Sequence, residues 1–221
     1  MASPFEQRLG SVLNQGMTSV LKPLGFKRAR NSYILDLNEI QQVVSIQRDQ
    51  YNTRESASFT IEVGVYSPAL FHFFYNLPSP IPPQASDCVI LSRLRQLDDD
   101  HLGPWWNLSA SDEASITDQL MADDISDRLR RHGLPLLNRF AARRDILKFL
   151  EEARQPGDWF SMPRAKPYRI CYIGILHALD GDRERANAAF DSAMSSTRLE
   201  SALDQIRAVR ARVEEPLKPG G

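Results

Sequence analysis

Between residues 57 and 66 apolar and polar side chains alternate. Phe59, Ile61, Val63 and Val65 occupy one parity, and Ser58, Thr60, Glu62, Gly64 and Tyr66 the other. Successive side chains of a strand point to opposite faces, so this run predicts a strand with a buried aliphatic face and a semi-polar one. Upstream, residues 32–37 and 40–48 read as two strands joined at Asn38-Glu39 by a tight hairpin connection. The polar stretch from Asp49 to Ser56 reads as a loop, and residues 88–95 and 105–108 predict two further strands. The chain opens differently. Phe5, Leu9, Val12, Leu13, Met17, Val20, Leu21 and Leu24 recur at three- and four-residue spacing, which predicts an amphipathic helix over 4–24 that Gly25 ends.

Four prolines in residues 77–85 remove backbone donors and fix φ, so this segment is expected to be an exposed loop with polyproline character. From Ser111 onward the pattern is helical. Helices are predicted near 113–132 (ended by Gly133 and Pro135), 138–154, 168–179, 183–195 and 197–213, with a frayed tail at Pro219-Gly220-Gly221. The fold class is therefore α+β: an N-terminal helix on an antiparallel sheet of about four to five strands, followed by a helical C-terminal region. The expected division is an α+β domain over 1–154, a linker over 155–167 rich in proline and small residues, and a helical region over 168–221.

The composition narrows the function classes. With 42% hydrophobic and 25% charged residues, a chain of 221 residues can bury its own core and is not disordered as a whole. A net charge of −1 and pI near 6.4 give no general electrostatic case for nucleic acid. No run approaches the ~18 apolar residues of a membrane span, and the first residues lack a basic segment leading into an apolar one. Cys88 and Cys171 are expected to be buried thiols in a reducing compartment. The expected location is the cytoplasm.

Several of these elements recur together in one known family. The amphipathic start running into Leu24-Gly25-Phe26, the strand at Tyr33 and Ser45-Ile46-Gln47 come first. Phe59 to Tyr66, Trp105-Trp106 and Gly133-Leu134-Pro135 follow. In order and spacing, residues 1–140 resemble the bacterial domain-of-unknown-function family 4304. That resemblance implies a fold and no activity, and no catalytic residue is carried over from it. Within residues 170–194, Gly174, Ala186, Phe190 and Ala193, with Asp180-Gly181-Asp182 at the turn, are similar to a single tetratricopeptide hairpin. His177 and Arg198 depart from that repeat, and no second copy follows, where at least about three make a stable array.

No catalytic, cofactor or metal-ligating motif is legible. Asp98-Asp99-Asp100-His101 offers oxygen and imidazole donors, but consecutive residues rarely converge on one ion, so a solvated turn is expected. His72, His132 and His177 have no ligand-spaced partner, and the nucleophile-elbow, P-loop and dinucleotide glycine patterns are missing. Cys171, between Ile170 and Tyr172, reads as inert packing.

Two surfaces carry the binding expectations. The semi-polar sheet face presents Gln47, Thr60, Glu62 and Tyr66, near Tyr51 in the adjoining loop. It is a recognition platform if nothing covers it, and ordinary solvated sheet if later helices do. Arg28, Arg30, Arg131, Arg143 and Arg144 are candidate anion ligands, although the carboxylates of Asp123, Asp124, Asp127 and Asp145 favour a charge-laced helix surface instead. The leading expectation is a non-enzymatic protein-binding module, of immunity or regulatory type, whose partner is another protein. The alternatives are an enzyme whose site gathers Glu62, Asp36 or Asp98–Asp100 with arginines around a phosphorylated or nucleotide substrate, and an RNA-binding protein.

Overall fold

A computed structural model describes residues 4–53, 56–98, 103–109, 114–152 and 165–214. The first helical rod follows from the spacing of its apolar residues. Helix α1 (Pro4–Leu13), a π-type segment over Asn14–Thr18, α2 (Ser19–Leu21) and a 3-10 turn over Lys22–Leu24 run on as one element. It ends at Gly25, whose φ of 90° is left-handed. Leu9, Val12, Leu13, Met17, Val20 and Leu21 are all buried along one side.

Among the described residues six strands follow: β1 (Lys27–Ala29), β2 (Ser32–Asp36), β3 (Gln41–Arg48), β4 (Ser56–Tyr66), β5 (Ile90–Arg93) and β6 (Trp106–Ser109). Their order is β1-β2-β3-β4-β5 with β6 also on β4, and every pairing is antiparallel. The chain is α+β. Strand β1 is the addition to the sequence-based expectation; it is three residues long and reverses at Arg30 (φ 56°), too short for any hydrophobic period to reveal. Strand β4 is central. Along one side it pairs with β3; along the other, β5 takes residues 62–65 and β6 takes 56–59. The two short strands thus form one interrupted edge, and the described residues between them, 94–98 and 103–105, stand outside the sheet.

Phe59, Ile61, Val63 and Val65 are fully buried, together with Val44, Ile46 and Tyr33. Against them pack the first rod and α4 (Ala114–Arg128). This helix does not stop at Gly133, as the sequence suggested. It passes through a π-type turn at Leu129–Gly133 into α5 (Leu134–Leu137), with Pro135 in the first turn of α5. A proline there removes an amide that needs no helical partner, so the chain continues. Gln42, buried on the same sheet face, donates through Nε2 to the carbonyls of Leu137 and Phe140 (2.9 and 3.0 Å) and anchors the end of α5.

Helix α3 (Pro68–Tyr75) is a second element the period analysis passed over. Ser67 caps it, its Oγ accepting from Leu70 N, and Pro68 occupies its first turn. Its Phe74 ring meets Tyr168 and Tyr172 edge-on, with centroids 5.4 and 4.7 Å apart, and so ties the sheet to the C-terminal helices. Those are α6 (Arg143–Glu152), α7 (Lys166–Leu179), α8 (Arg183–Ser195) and α9 (Glu200–Glu214). One hydrophobic cluster runs from Leu9 through the sheet to Val209. In the α7–α8 hairpin, the Phe190 ring lies on the backbone of Gly174, where an added methyl would come within 2.9 Å. Most of the expected linker, residues 155–164, lies outside the described residues. Among the described residues, no helix is long and apolar enough to cross a membrane.

Candidate functional site

The reverse face of the sheet carries the polar parity of β4. Cross-strand register sets its rows: Ser32, Ser45, Glu62 and Arg93 stand in line, and next to them Ile34, Val43, Gly64 and Leu91. A third row brings Asp36, Gln41 and Tyr66 together.

Most of this face is covered, though not by the later helices. Ala85 and Cys88, with Phe71 of α3, close over Val43, Tyr66 and Leu91 as a small second core. Cys88 presses directly onto Gly64; a Cβ there would lie 2.8 Å from the Cys88 Sγ and 2.9 Å from the Ile90 carbonyl oxygen. A Gly64→Ala variant is therefore expected to lose about 1–3 kcal/mol in a urea titration, because one of its neighbours is backbone and cannot rotate away. At the opposite end the chain before β6 crosses the face, and Thr60 donates to the Pro104 carbonyl at 2.7 Å.

Of the predicted platform residues, then, Thr60 (0% exposed) and Tyr66 (1%) are sealed, Glu62 is partly buried, Gln47 is exposed, and Tyr51 is 79% exposed. The open part of this face is confined to one end. Glu62 faces Arg93 at 3.9 Å, and the Arg93 guanidinium lies 5.4 Å from the Trp105 ring centroid. Burial raises the Glu62 pKa, and Arg93 only partly opposes it. An acid with a raised folded pKa binds its proton more tightly in the native state. Its contribution to stability is thus fully present below the unfolded value of 4.5 and is lost as pH rises through the folded value. Glu62→Gln should remove that loss, so its stability relative to wild type should improve from pH 4 to pH 7. Denaturation at the two pH values checks this.

Beneath the proline-rich segment the cover does not close. A cavity of about 540 Å³ separates the sheet from residues 79–83. Its floor is Ala29, Ile34, Gln41 and Tyr66; Pro80, Ile81, Pro82 and Pro83 roof it; Lys27 and Asp36 supply charge. Among the described residues of this sheet face, Gln41 Oε1, Ser32 Oγ and Ser45 Oγ are buried without a hydrogen-bond partner, while Ser79 of the proline-rich segment stands beside the Tyr66 hydroxyl. Native proteins pair the great majority of such groups. Burial raises the Tyr66 pKa, offset in part by Ser79, so the phenol stays protonated. The sequence had marked Tyr66 and the proline segment separately. Gln41 was missed because its orphaned amide is a property of packing, not of pattern.

The arginines do not converge. Arg131 pairs with Asp127 (2.8 Å) and Arg143 with Glu39 (2.6 Å), which lowers the Glu39 pKa through hydrogen bonding. Arg28 lies over the Tyr33 ring at 5.8 Å, Arg30 forms the β1–β2 turn, and Arg144 stands near Glu39. Asp36 lines the cavity, Glu62 does not, and the cation there is Lys27. Asp99, Asp100 and His101 lie outside the described residues. Among those described, no group of three His, Cys, Asp or Glu is placed to hold a metal. Both cysteines are free and buried. Burial pushes the Cys171 thiol up to about 12 and that of Cys88 well above its ordinary range, which keeps both protonated and unreactive.

Residues 17–139 match the family model described as Domain of unknown function (DUF4304). The chain belongs to the DUF4304 family. No curated protein and no solved structure matches it. The matched DUF4304 segment takes in the whole sheet, α3 and the cavity, and the C-terminal helices follow it.

Proposed function

We propose that this DUF4304 chain is a non-catalytic binding module whose ligand sits in the cavity between the sheet and the proline-rich segment. The observation that carries this reading is a cavity of about 540 Å³ whose largely apolar lining includes Lys27, Asp36, Gln41 and Tyr66. That volume falls in the range of small-molecule sites, and mostly apolar walls with a few polar groups are what such sites use for orientation. Its polar lining includes one ammonium, one carboxylate, an amide and a phenol that stays neutral, a set suited to holding a ligand more than to transforming it.

Thermal unfolding with a library of small polar heterocycles and metabolites tests the proposal. A ligand at about a hundred times its Kd stabilises by about 2.7 kcal/mol. For a chain this size that corresponds to a rise in Tm of roughly 5–10 °C. Ile34→Trp, which fills the cavity from its floor, should abolish the rise; Ala29→Phe serves if the first variant does not fold. Stabilisers that act equally on a cavity-filled variant, or none at all, would overturn the reading.

A second reading, a protein partner, draws on the two predicted platform residues that stay exposed, Gln47 of β3 and Tyr51 in the loop that follows it. Tyrosine supplies contact area at low entropic cost. Tyr51→Ala would then weaken a partner's binding and leave small-molecule stabilisation intact, as read by calorimetry.

A further inference from the structure

Strand β1 ends the sheet, and we propose that an extended acidic segment of a partner protein pairs with it as a further antiparallel strand, seating one apolar side chain in the cavity. The inference rests on the cavity reading for that anchor alone. Among the described residues, β2 is the one strand that pairs with β1. The turn Arg30-Asn31 joins the two, with Ala29 opposite Ser32 and Arg28 opposite Tyr33. The pair that closes such a two-residue hairpin exchanges both ladder hydrogen bonds, and the next pair exchanges none. The N–H and C=O of Arg28 therefore point away from β2, and among the described residues no backbone hydrogen bond reaches them. One guest residue opposite Arg28 satisfies both groups, as in other complexes where a peptide extends a sheet.

Charge selects the guest. No carboxylate occurs between Glu6 and Asp36, while Lys22, Lys27, Arg28 and Arg30 all fall in that stretch and are exposed. Among the described residues, none of these four cations is ion-paired. Charged residues on a short edge strand repel apolar strands and a second copy of β1 alike, and the same charges favour an acidic guest. A nucleic acid has no peptide groups for Arg28 and no apolar side chain for the cavity.

The two flanks of the edge set the order of residues. Lys27 and Ala29 share one face and both line the cavity, whereas Arg28 lies on the reverse face over the Tyr33 ring. Every pairing in this sheet is antiparallel, and a guest that continues it sets three consecutive residues against Ala29, Arg28 and Lys27. Ala29 is small, so the residue opposite it can turn a large apolar side chain toward Ile34 and the prolines of the roof. The next two stand against Arg28 and Lys27, where cross-strand pairing favours carboxylates. The guest reads apolar, acidic, acidic.

The test is an amide-resolved NMR titration of the full chain with the capped heptapeptide Thr-Thr-Leu-Glu-Glu-Thr-Thr. For so short a strand, saturation is expected on the order of millimolar. The peptide should shift the amides of Lys27, Arg28 and Ala29. Lysine in place of both glutamates should weaken binding roughly tenfold or more, and alanine in place of leucine roughly tenfold. N-methylation of the first glutamate deletes its donor to the Arg28 carbonyl and should also cost roughly tenfold. N-methylation of the second, whose N–H points away from β1, should cost little. Arg28→Pro should weaken binding more than Arg28→Gln, since both lose the charge and only proline loses the outward N–H; the N-methylated peptides cover the case in which Arg28→Pro does not fold. The proposal is overturned by equal binding of the lysine or alanine peptide, by indifference to the first N-methylation, by a uridine hexanucleotide binding the same amides as tightly, or by no shift along β1. None of these results touches the cavity reading, which small-molecule stabilisation decides separately.

Discussion

Phe59→Ala should cost about 3–5 kcal/mol, the largest loss expected from any single truncation of β4. Phe59 is fully buried, pairs with Arg48 of β3 and Trp106 of β6, and stacks on the Trp106 ring at 5.8 Å with 17° between planes. Removing it opens a cavity where three strands and the helical layer meet, in a position with little freedom to collapse. Typical total stabilities are only about 5–15 kcal/mol, so a large share of the folded state's margin would go. Guanidinium unfolding followed by tryptophan fluorescence reads both the loss and the changed stacking. Ile61→Val, which deletes one methylene from the same face, should cost only about 0.5–1.5 kcal/mol. A Phe59→Ala loss below that of Ile61→Val would mean that β4 does not present this face to the core.

Arg128→Ala should cost about 2–4 kcal/mol. The Arg128 side chain is 8% exposed, bonds Asp124 through Nε at 2.7 Å and meets Asp98 through Nη1 at 3.2 Å. Asp124 in turn accepts from the Trp106 indole at 2.7 Å, so the arginine, α4 and β6 form one network. Truncation leaves two carboxylates without their shared cation. Each is about a third exposed and can regain water, which holds the cost below that of a fully buried pair. Arg128→Met keeps the packed stem and should cost less. Asp98→Asn, at the wetter end, should cost under about 1 kcal/mol. Reversal of the Ala and Met order in urea denaturation would show that packing of the stem contributes nothing.

This arginine also marks the limit of pattern reading. Asp124 and Arg128 four residues apart are legible as a helix-face ion pair, and the pair exists. Nothing local shows that the face turns inward against Trp106 and Asp98. The sheet behaved likewise. The parity of residues 57–66 correctly assigned Phe59, Ile61, Val63 and Val65 to the core, and the spacing from Leu9 to Leu21 correctly assigned the helix stripe, because burial of one face is written into side-chain order. Ser67-Pro68 was a readable helix start, a capping serine before a first-turn proline, but the run Leu-Phe-His-Phe-Phe-Tyr that follows shows no helical period. The edge formed by β5 and β6 was legible as two strands and not as one interrupted pairing, since register is a relation between distant segments.

Side-chain order alone therefore established an α+β chain, a two-faced central strand, an amphipathic first helix and a proline stretch barred from both helix and central strand. It did not establish that the proline stretch folds back over the polar face, that Cys88 seats on Gly64, or that Gln41 and Tyr66 end beneath a roof. A local pattern records which surfaces seek burial. Which surface covers them is settled by contacts between distant segments, through the path of the loops and the fit of the packed layers, and those are properties of the assembled fold.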